Sequence, residues 1–309
     1  METLFILLIA LIIDLTLGEP PAVIHPVVWM GKVVSFLTRG RSGRSPAAQF
    51  LHGVGVVLVT SIIFVAPVYF ALSYLKGLNL VVYIVVAAVI LKTSFSLKEL
   101  QRAALRVRNL LDEDKLARAR FELRSLVGRD TSKLDKSLMV SATVESVAEN
   151  TCDSFVAPLF FFLLFGVPGA VAYRVINTLD AMIGHHGEFE YLGKFAARMD
   201  DATNFIPARI TALLMVGATW ISKKNVSAAW QTMLRDRRKT ESPNAGWTMG
   251  ATACALGVQL EKVGYYKLGD NHNPLLTSTI DASLKIAMTA ALMWSLTLSL
   301  IEVIYHVAA

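Results

Sequence analysis

The chain has 309 residues, 54% hydrophobic and only 17% charged, with a mean hydropathy of +0.51 and a formal net charge of +6. A soluble domain carries about a quarter charged residues, so this composition excludes an ordinary water-soluble enzyme and points to an integral membrane protein. Its two cysteines, Cys152 and Cys254, stand in unrelated contexts, which excludes a disulfide framework and a CxxC metal site.

The opening "METLFILLIALIIDLTLGEPP" has the apolar run of a secretory signal. It lacks a basic start and a small-residue cleavage site, and it carries Glu2 and Asp14. It reads as a retained first membrane helix over 3–17. "GEPPAVIHPVVWMGK" (18–32) closes that helix with rigid turn chemistry. Pro26 and Trp29 look like an interfacial anchor. His25, between apolar neighbours, is more readily a structural histidine than a ligand.

Further strong apolar runs lie at 51–75, 78–91 and 284–306, and weaker ones at 155–176 and 206–222. A crossing needs about 20 helical residues. The runs 51–75 and 284–306 meet that, while 78–91 is short unless extended through Thr93 to Phe95. Residues 92–143 differ in kind: helical apolar spacing is filled with acids and bases. This stretch is expected to form a cytoplasmic helical pair, broken near "LDEDKL", inserted in a single membrane-embedded domain over 1–309. In 155–176, "GVPG" at 166–169 breaks the run. That predicts either one kinked span or two half-helices in a re-entrant hairpin. Broken backbone at membrane depth is tolerated only inside protein or beside a wet cavity, which hints at a site.

Basic residues cluster in Lys32 to Arg44, Lys92 to Lys136 and Lys223 to Lys239. In a membrane protein such blocks mark cytoplasmic loops rather than nucleic-acid binding, leaving the N-terminus outside. No internal repeat is visible, which counts against a transporter.

The polar residues of 128–209 are concentrated. "GRDTSKLD" brings Arg129, and "VESVAENTCDSF" brings Glu145, Glu149, Asn150 and Asp153. "YRVINTLDAMIG" brings Arg174, Asn177 and Asp180; "ARMDDATNFIPAR" brings Arg198, Asp200, Asp201, Asn204 and Arg209. Glu145, Glu149 and Asp153 follow at four-residue steps and so share a helical stripe. Carboxylates crowded together raise one another's pKa unless neutralised. Mg²⁺ takes carboxylate oxygens and bridges to phosphate, and arginine holds phosphate in a fork that lysine cannot match. The acids plus arginines therefore read as a Mg–phosphate site; the bland alternative is capped helix ends and interhelical ion pairs. His185-His186 makes a poor metal pair, because adjacent helical residues point apart. "SPNAGW" (242–247) precedes "TMGATACALG", a small-residue helix suited to close packing or to lining a pocket.

Together and in this order, "DLTLGEPPAVIHPVVWMGK", "VGRDTSKLD", "VESVAENTCDSFVAPLFF", "YRVINTLDAMIG", "LGKFAARMDDATNFIPARITAL", "SPNAGW" and "YYKLGD" resemble the adenosylcobinamide-phosphate synthase family of cobalamin biosynthesis, the CobD/CbiB family. The likeness runs from Asp14 to Asp270 and departs after Gly184, where "HHGEFEY" stands in place of an aromatic-basic-Asn run.

The resemblance implies an all-α polytopic enzyme of the cell membrane with its site facing the cytoplasm. Such an enzyme joins adenosylcobyric acid to aminopropanol or its O-phosphate by an ATP-dependent amide bond. It also implies roles. Glu145, Glu149, Asp153, Asp180, Asp200 and Asp201 would hold Mg²⁺ and orient ATP, or one acid would serve instead as base for the amine. Asn150, Asn177, Asn204 and Asn244 with Trp247 and His25 would complete the substrate shell, and Arg129, Arg174 and Arg209 would meet phosphate. Because ATP and corrinoid are cytoplasmic, the re-entrant form of 155–176 is favoured. A homo-oligomer, or contact with other late corrinoid-pathway enzymes, is compatible with the sequence. Rival readings are an AmpE-like signalling protein, which has no need of six acids, and a prenyltransferase-like enzyme, which would carry two aspartate-rich motifs rather than three mixed ones.

Overall fold

The computed structural model describes residues 1–40, 45–185, 187, 189–221 and 226–308. Arg41, Arg44 and Lys223 of the basic blocks, and His186 of the histidine pair, lie outside them.

The helices in chain order are Glu2–Thr16 (α1), Pro26–Thr38 (α2), Pro46–Leu78 (α3), Leu80–Lys92 (α4), Leu97–Asp112 (α5), Leu116–Leu123 (α6) and Lys136–Thr151 (α7). A π turn, Cys152–Val156, leads into Ala157–Ile183 (α8). Lys194–Thr203 (α9), Phe205–Ile221 (α10), Val226–Asp236 (α11), Ala245–Leu256 (α12) and Thr277–Ala308 (α13) complete the set. Leu260–Lys262 (β1) and Tyr266–Leu268 (β2) form an antiparallel hairpin, a small addition to the all-helical expectation.

Local chemistry sets many of these boundaries. Pro26 and Pro46 open α2 and α3 at a position that needs no amide hydrogen. Asn79 and Asp135 cap α4 and α7 by accepting from Val82 N and Leu138 N. In α5, Leu97, Leu100, Ala104, Val107 and Leu111 form one buried stripe. The predicted break at "LDEDKL" falls at Asp114, whose φ of +56° is a left-handed turn that Asp tolerates. Lys115 N then closes the helix end on Leu110 O at 2.9 Å.

Four stretches are long and apolar enough to cross a bilayer: Pro46–Leu78, Leu80–Asp112, Lys136–Ile183 and Thr277–Ala308. Counting Lys194–Thr203 with Phe205–Ile221 as one broken span makes five. Their outward faces carry Leu, Ile, Val and Phe, so the protein is an all-α polytopic membrane protein. By length alone α1 falls short of a crossing, with 15 residues.

The stretch Lys136–Ile183 is not straight. Gly166 has φ 66°, ψ −163°, a backbone essentially open to glycine alone, and Pro168 follows it. The Phe161 ring stacks on Tyr173 with centroids 5.4 Å apart, although twelve helical residues would separate them by about 18 Å. A Cβ on Gly169 would meet Phe161 O at 2.6 Å. The chain therefore doubles back at Gly166, and α8 is two arms of a hairpin, the second of the two predicted forms.

The chain divides into two compact units. Residues 1–96, 157–203 and 298–309 form the first, in which α1 packs on α4, and α8 packs on α2, α3, α4 and α9. Residues 97–156 and 204–297 form the second, whose core runs from Leu100 through Val144, Met215 and Met249 to Leu284. There the small residues of α12 are nearly all buried, which is the close-packing outcome foreseen for "TMGATACALG".

Candidate functional site

In the second unit, Glu145 is buried at the centre of α7, 4% exposed. Its Oε1 accepts from Ser141 Oγ at 2.6 Å, and its Oε2 from the Tyr266 hydroxyl at 2.9 Å. Arg129 Nη2 stands 3.2 Å from the same Oε2. Ser141 Oγ in turn accepts from Glu261 N at 2.8 Å, tying the hairpin to α7. Burial, and then Glu145, push the Tyr266 hydroxyl's pKa far up, so it stays a donor. Both oxygens of Glu145 are thus committed within the protein. Beside that ion pair, the buried Nε of Arg129 has no hydrogen-bond acceptor among the described residues, an arrangement that suits an incoming anion.

A second cluster in this unit surrounds Trp247 at the start of α12. The Arg209 guanidinium lies 3.5 Å from the centroid of the Phe205 ring and 4.8 Å from that of Trp247. Its Nη1 donates to Phe205 O and, at 3.1 Å, to Asn244 Oδ1. Arg237 stands over the same indole at 5.2 Å. Gly246 makes this possible: a Cβ there would lie 2.6 Å from Arg237 O, so only glycine lets α12 approach so closely. Asp236 anchors the neighbouring backbone, accepting from Gly269 N at 2.7 Å and from Arg235 and Lys239. Burial pushes its carboxyl up, and those three donors more than offset this, holding it at about 2. Two guanidiniums on one indole, with only neutral oxygens as their hydrogen-bond partners among the described residues, form an anion-attracting surface.

Arg237 escaped the sequence reading because "RDRRK" registered only as a loop charge block. A basic residue six positions before a Pro-Asn-Ala-Gly turn was the signal available.

In the first unit, Arg174, Asn177 and Asp180 project from the second arm of α8, and Asp200 and Asp201 from α9. Arg174 Nη1 donates to Asn177 Oδ1 at 3.3 Å, and Asn177 Nδ2 to Asp200 Oδ1 at 3.4 Å. The Asp180 carboxylate folds against Gly184, where a Cβ would sit 2.0 Å from its Oδ1. Asp201 lies 3.8 Å from the exposed Arg198.

The remaining sequence candidates take local partners. Asn150 donates to Ser146 and accepts from Ser154 Oγ at 3.2 Å. Asn204 is buried, with Cys152 Sγ 3.9 Å from its Oδ1. Glu149 is half-buried and, with Glu145, raises the Tyr266 pKa. Asp153 falls inside the π turn, so the regular stripe expected of Glu145, Glu149 and Asp153 breaks at Cys152. The His25 ring is used locally: Nδ1 accepts from Val27 N at the start of α2, and Nε2 pairs with Glu19. That is the structural role the sequence favoured for it.

Of the six acids read as one site, Glu145, Glu149 and Asp153 thus belong to the second unit and Asp180, Asp200 and Asp201 to the first. Among the described residues no three His, Cys, Asp or Glu side chains gather around one ion position. Mg²⁺ does not require such a cage. It binds through one or two carboxylates and completes its shell with water and phosphate, a donor set that Asp200 with Asn177 can supply.

The sequence matches the family described as "CobD/Cbib protein" over residues 7–295. It is 52% identical to the cobalamin biosynthesis protein CobD of Dehalococcoides mccartyi, over 96% of both chains. It is 40% identical to the probable cobalamin biosynthesis protein CobD of Methanothermobacter thermautotrophicus, over 96% of this chain and 97% of that one. Identity to the corresponding protein of Pyrococcus furiosus is 42%, over 84% and 85%. No solved structure matches the chain.

Proposed function

Because the chain belongs to the CobD/CbiB family of cobalamin biosynthesis proteins, we propose that it joins the free carboxyl of adenosylcobyric acid to aminopropanol, or aminopropanol O-phosphate, in an ATP-dependent amide bond. A carboxylate does not condense with an amine in water, so ATP must first convert it to an acyl phosphate or acyl adenylate. The amine then displaces phosphate or AMP. ATP, and the amine where it is phosphorylated, carry phosphate charge, and the observation that supports this reading is the arginine supply. Arg129, held by its ion pair with Glu145, keeps a buried Nε–H without an acceptor among the described residues, and Arg209 and Arg237 converge on Trp247.

In this reading Arg129, Arg209 and Arg237 neutralise the phosphate oxygens of ATP, and Arg174, beside Asn177 and Asp200, meets the phosphate of the phosphorylated amine. Asp200, with Asp180 and Asp201 of the same unit as further oxygen donors, would hold Mg²⁺; Glu149 and Asp153 of the second unit are separate candidates for such an ion. When bound, that ion would withdraw charge from the transferred phosphorus. Glu145 leaves the metal set: its oxygens hold Arg129 in place. The site faces the cytoplasm of the cell membrane, where ATP is found.

The test is to incubate the purified protein with adenosylcobyric acid, Mg-ATP and each amine, and to separate the corrinoids. A new amide-linked corrinoid that requires ATP is the expected result, and its absence with both amines contradicts the proposal. Arg174→Ala should reduce use of the phosphorylated amine by about ten- to a hundredfold, the scale of one charge-assisted bond, and free aminopropanol much less. Equal losses would assign Arg174 to ATP or to structure.

A further inference from the structure

The first unit holds a cavity of about 840 Å³ that the proposed reaction does not use. Its size is that of a small-molecule site. The walls are apolar and stiffened by proline: Ile13, Pro21, Trp29, Ile63, Pro67 and Val68 are typical. A corrinoid edged with amides, or a nucleotide, would find few partners there. The polar residues of the lining, Glu19, Lys92, Thr93 and Ser94, come from the turn after α1 and the end of α4.

The chemistry at those residues decides which ligand fits. Lys92 is 2% exposed, and its ammonium faces Glu19 Oε1 at 2.6 Å, Asp14 Oδ1 at 3.1 Å and Phe95 O at 3.3 Å. Two of these contacts are hydrogen bonds and the third, to Asp14, is an ion pair, so the ammonium's charge is committed. Burial raises the Glu19 carboxyl's pKa, and hydrogen bonds from His25 and Lys92 more than reverse that, holding it at about 2. The His25 ring accepts from Val27 N through Nδ1, so its proton sits on Nε2, toward Glu19. Two acids therefore share one lysine and the imidazole, which leaves the polar end acid-rich and without a spare positive charge for an anion among the described residues. Ser94 is different. It is 1% exposed, and its hydroxyl has no hydrogen-bond partner. A buried hydroxyl in that state is costly unless something else completes it.

We propose that this cavity binds a membrane-borne amphiphile: an apolar chain bearing a hydroxyl or protonated amino head that meets Ser94 and Glu19, with carboxylate and phosphate heads rejected. The claim is independent of the amide-forming reaction and survives if that fails.

The test uses Trp29, which lines the cavity, as reporter. In protein reconstituted in nanodiscs, with Trp220, Trp230, Trp247 and Trp294 changed to Phe, three probes are titrated: mid-chain-brominated undecanol, undecylamine and undecanoate. The alcohol and the amine should quench Trp29 saturably, and the carboxylate should bind about tenfold or more weakly, because it meets like charge. Ser94→Ala should weaken the alcohol about fivefold, the scale of one neutral hydrogen bond. Val68→Phe, or Val89→Phe if the former does not fold, fills the cavity and should remove the saturable component. Thermal stabilisation of the otherwise wild-type protein by the same probes gives a second readout that needs no tryptophan replacements. Equal quenching by all three head groups, or saturation untouched by the filling variants, would show partition into the bilayer only and overturn the proposal.

Discussion

Asp200→Asn should lower product formation by about two to three orders of magnitude while the protein remains folded in detergent. Asp200 accepts from Asn177, which is itself held by Arg174. This chain of contacts fixes the carboxylate of α9 against the second arm of α8. Asparagine preserves the size and one acceptor oxygen but removes the charge, and with it the means of holding a cation at the phosphates. Losing one preorganised electrostatic contact costs about a hundred- to a thousandfold in rate. Asp153→Asn and Asp201→Asn belong beside it as tests of the other proposed donors. Arg198→Ala is the control, since its side chain is 74% exposed and, among the described residues, pairs with Asp201 of its own helix. Wild-type turnover in Asp200→Asn would remove the Arg174–Asn177–Asp200 group from the reaction.

Glu145→Ala should act on stability instead. The substitution strands Arg129, only 18% exposed, beside Tyr266 and Ser141 with no counter-charge. Breaking a buried pair from one side costs about 3–5 kcal/mol, enough to lower the melting temperature in detergent by many degrees. Glu145→Gln keeps the acceptor for Tyr266 and should cost less. The double replacement Arg129→Met with Glu145→Leu should recover most of the loss, because neither charge is then left alone. That variant should be folded and inactive if Arg129 meets phosphate. A Glu145→Ala protein that melts like the wild type but fails to turn over would return Glu145 to the metal site.

Much of this was legible from residues alone. Leu, Ile and Val runs of sufficient length announce the crossing helices, and "LDEDKL" ends a helix because Asp can take the left-handed turn found at Asp114. "GVPG" foretold a broken helix, and the ring stack of Phe161 on Tyr173 shows it to be a reversal. Asn244, Trp247 and Arg209, separate candidates in the sequence, lie together in the structure. What spacing could not reveal is which polar atoms are already satisfied. Glu145 looks like a ligand in a list of acids, yet Ser141 is one turn before it and Tyr266 is 121 positions away. The Lys92–Asp14–Glu19 group escaped for the same reason: Lys92 and Glu19 are 73 positions apart, and only the packing of α1 on α4 joins them. Helical periodicity also hid the π turn, because a single five-residue turn leaves no mark in the apolar pattern.

The central claim is that ATP activates the corrinoid carboxyl before the amine attacks. Adenosylcobyric acid carrying ¹⁸O in its free carboxylate, turned over with Mg-ATP and the preferred amine, tests it in one measurement. Activation bonds one carboxyl oxygen to phosphorus, and the amine's displacement of that group then breaks the C–O bond and carries the oxygen away. One labelled oxygen per amide formed should therefore appear in inorganic phosphate or, if the intermediate is an adenylate, in AMP. Amide formed with no ¹⁸O in either, or formed equally well without ATP, would contradict the account.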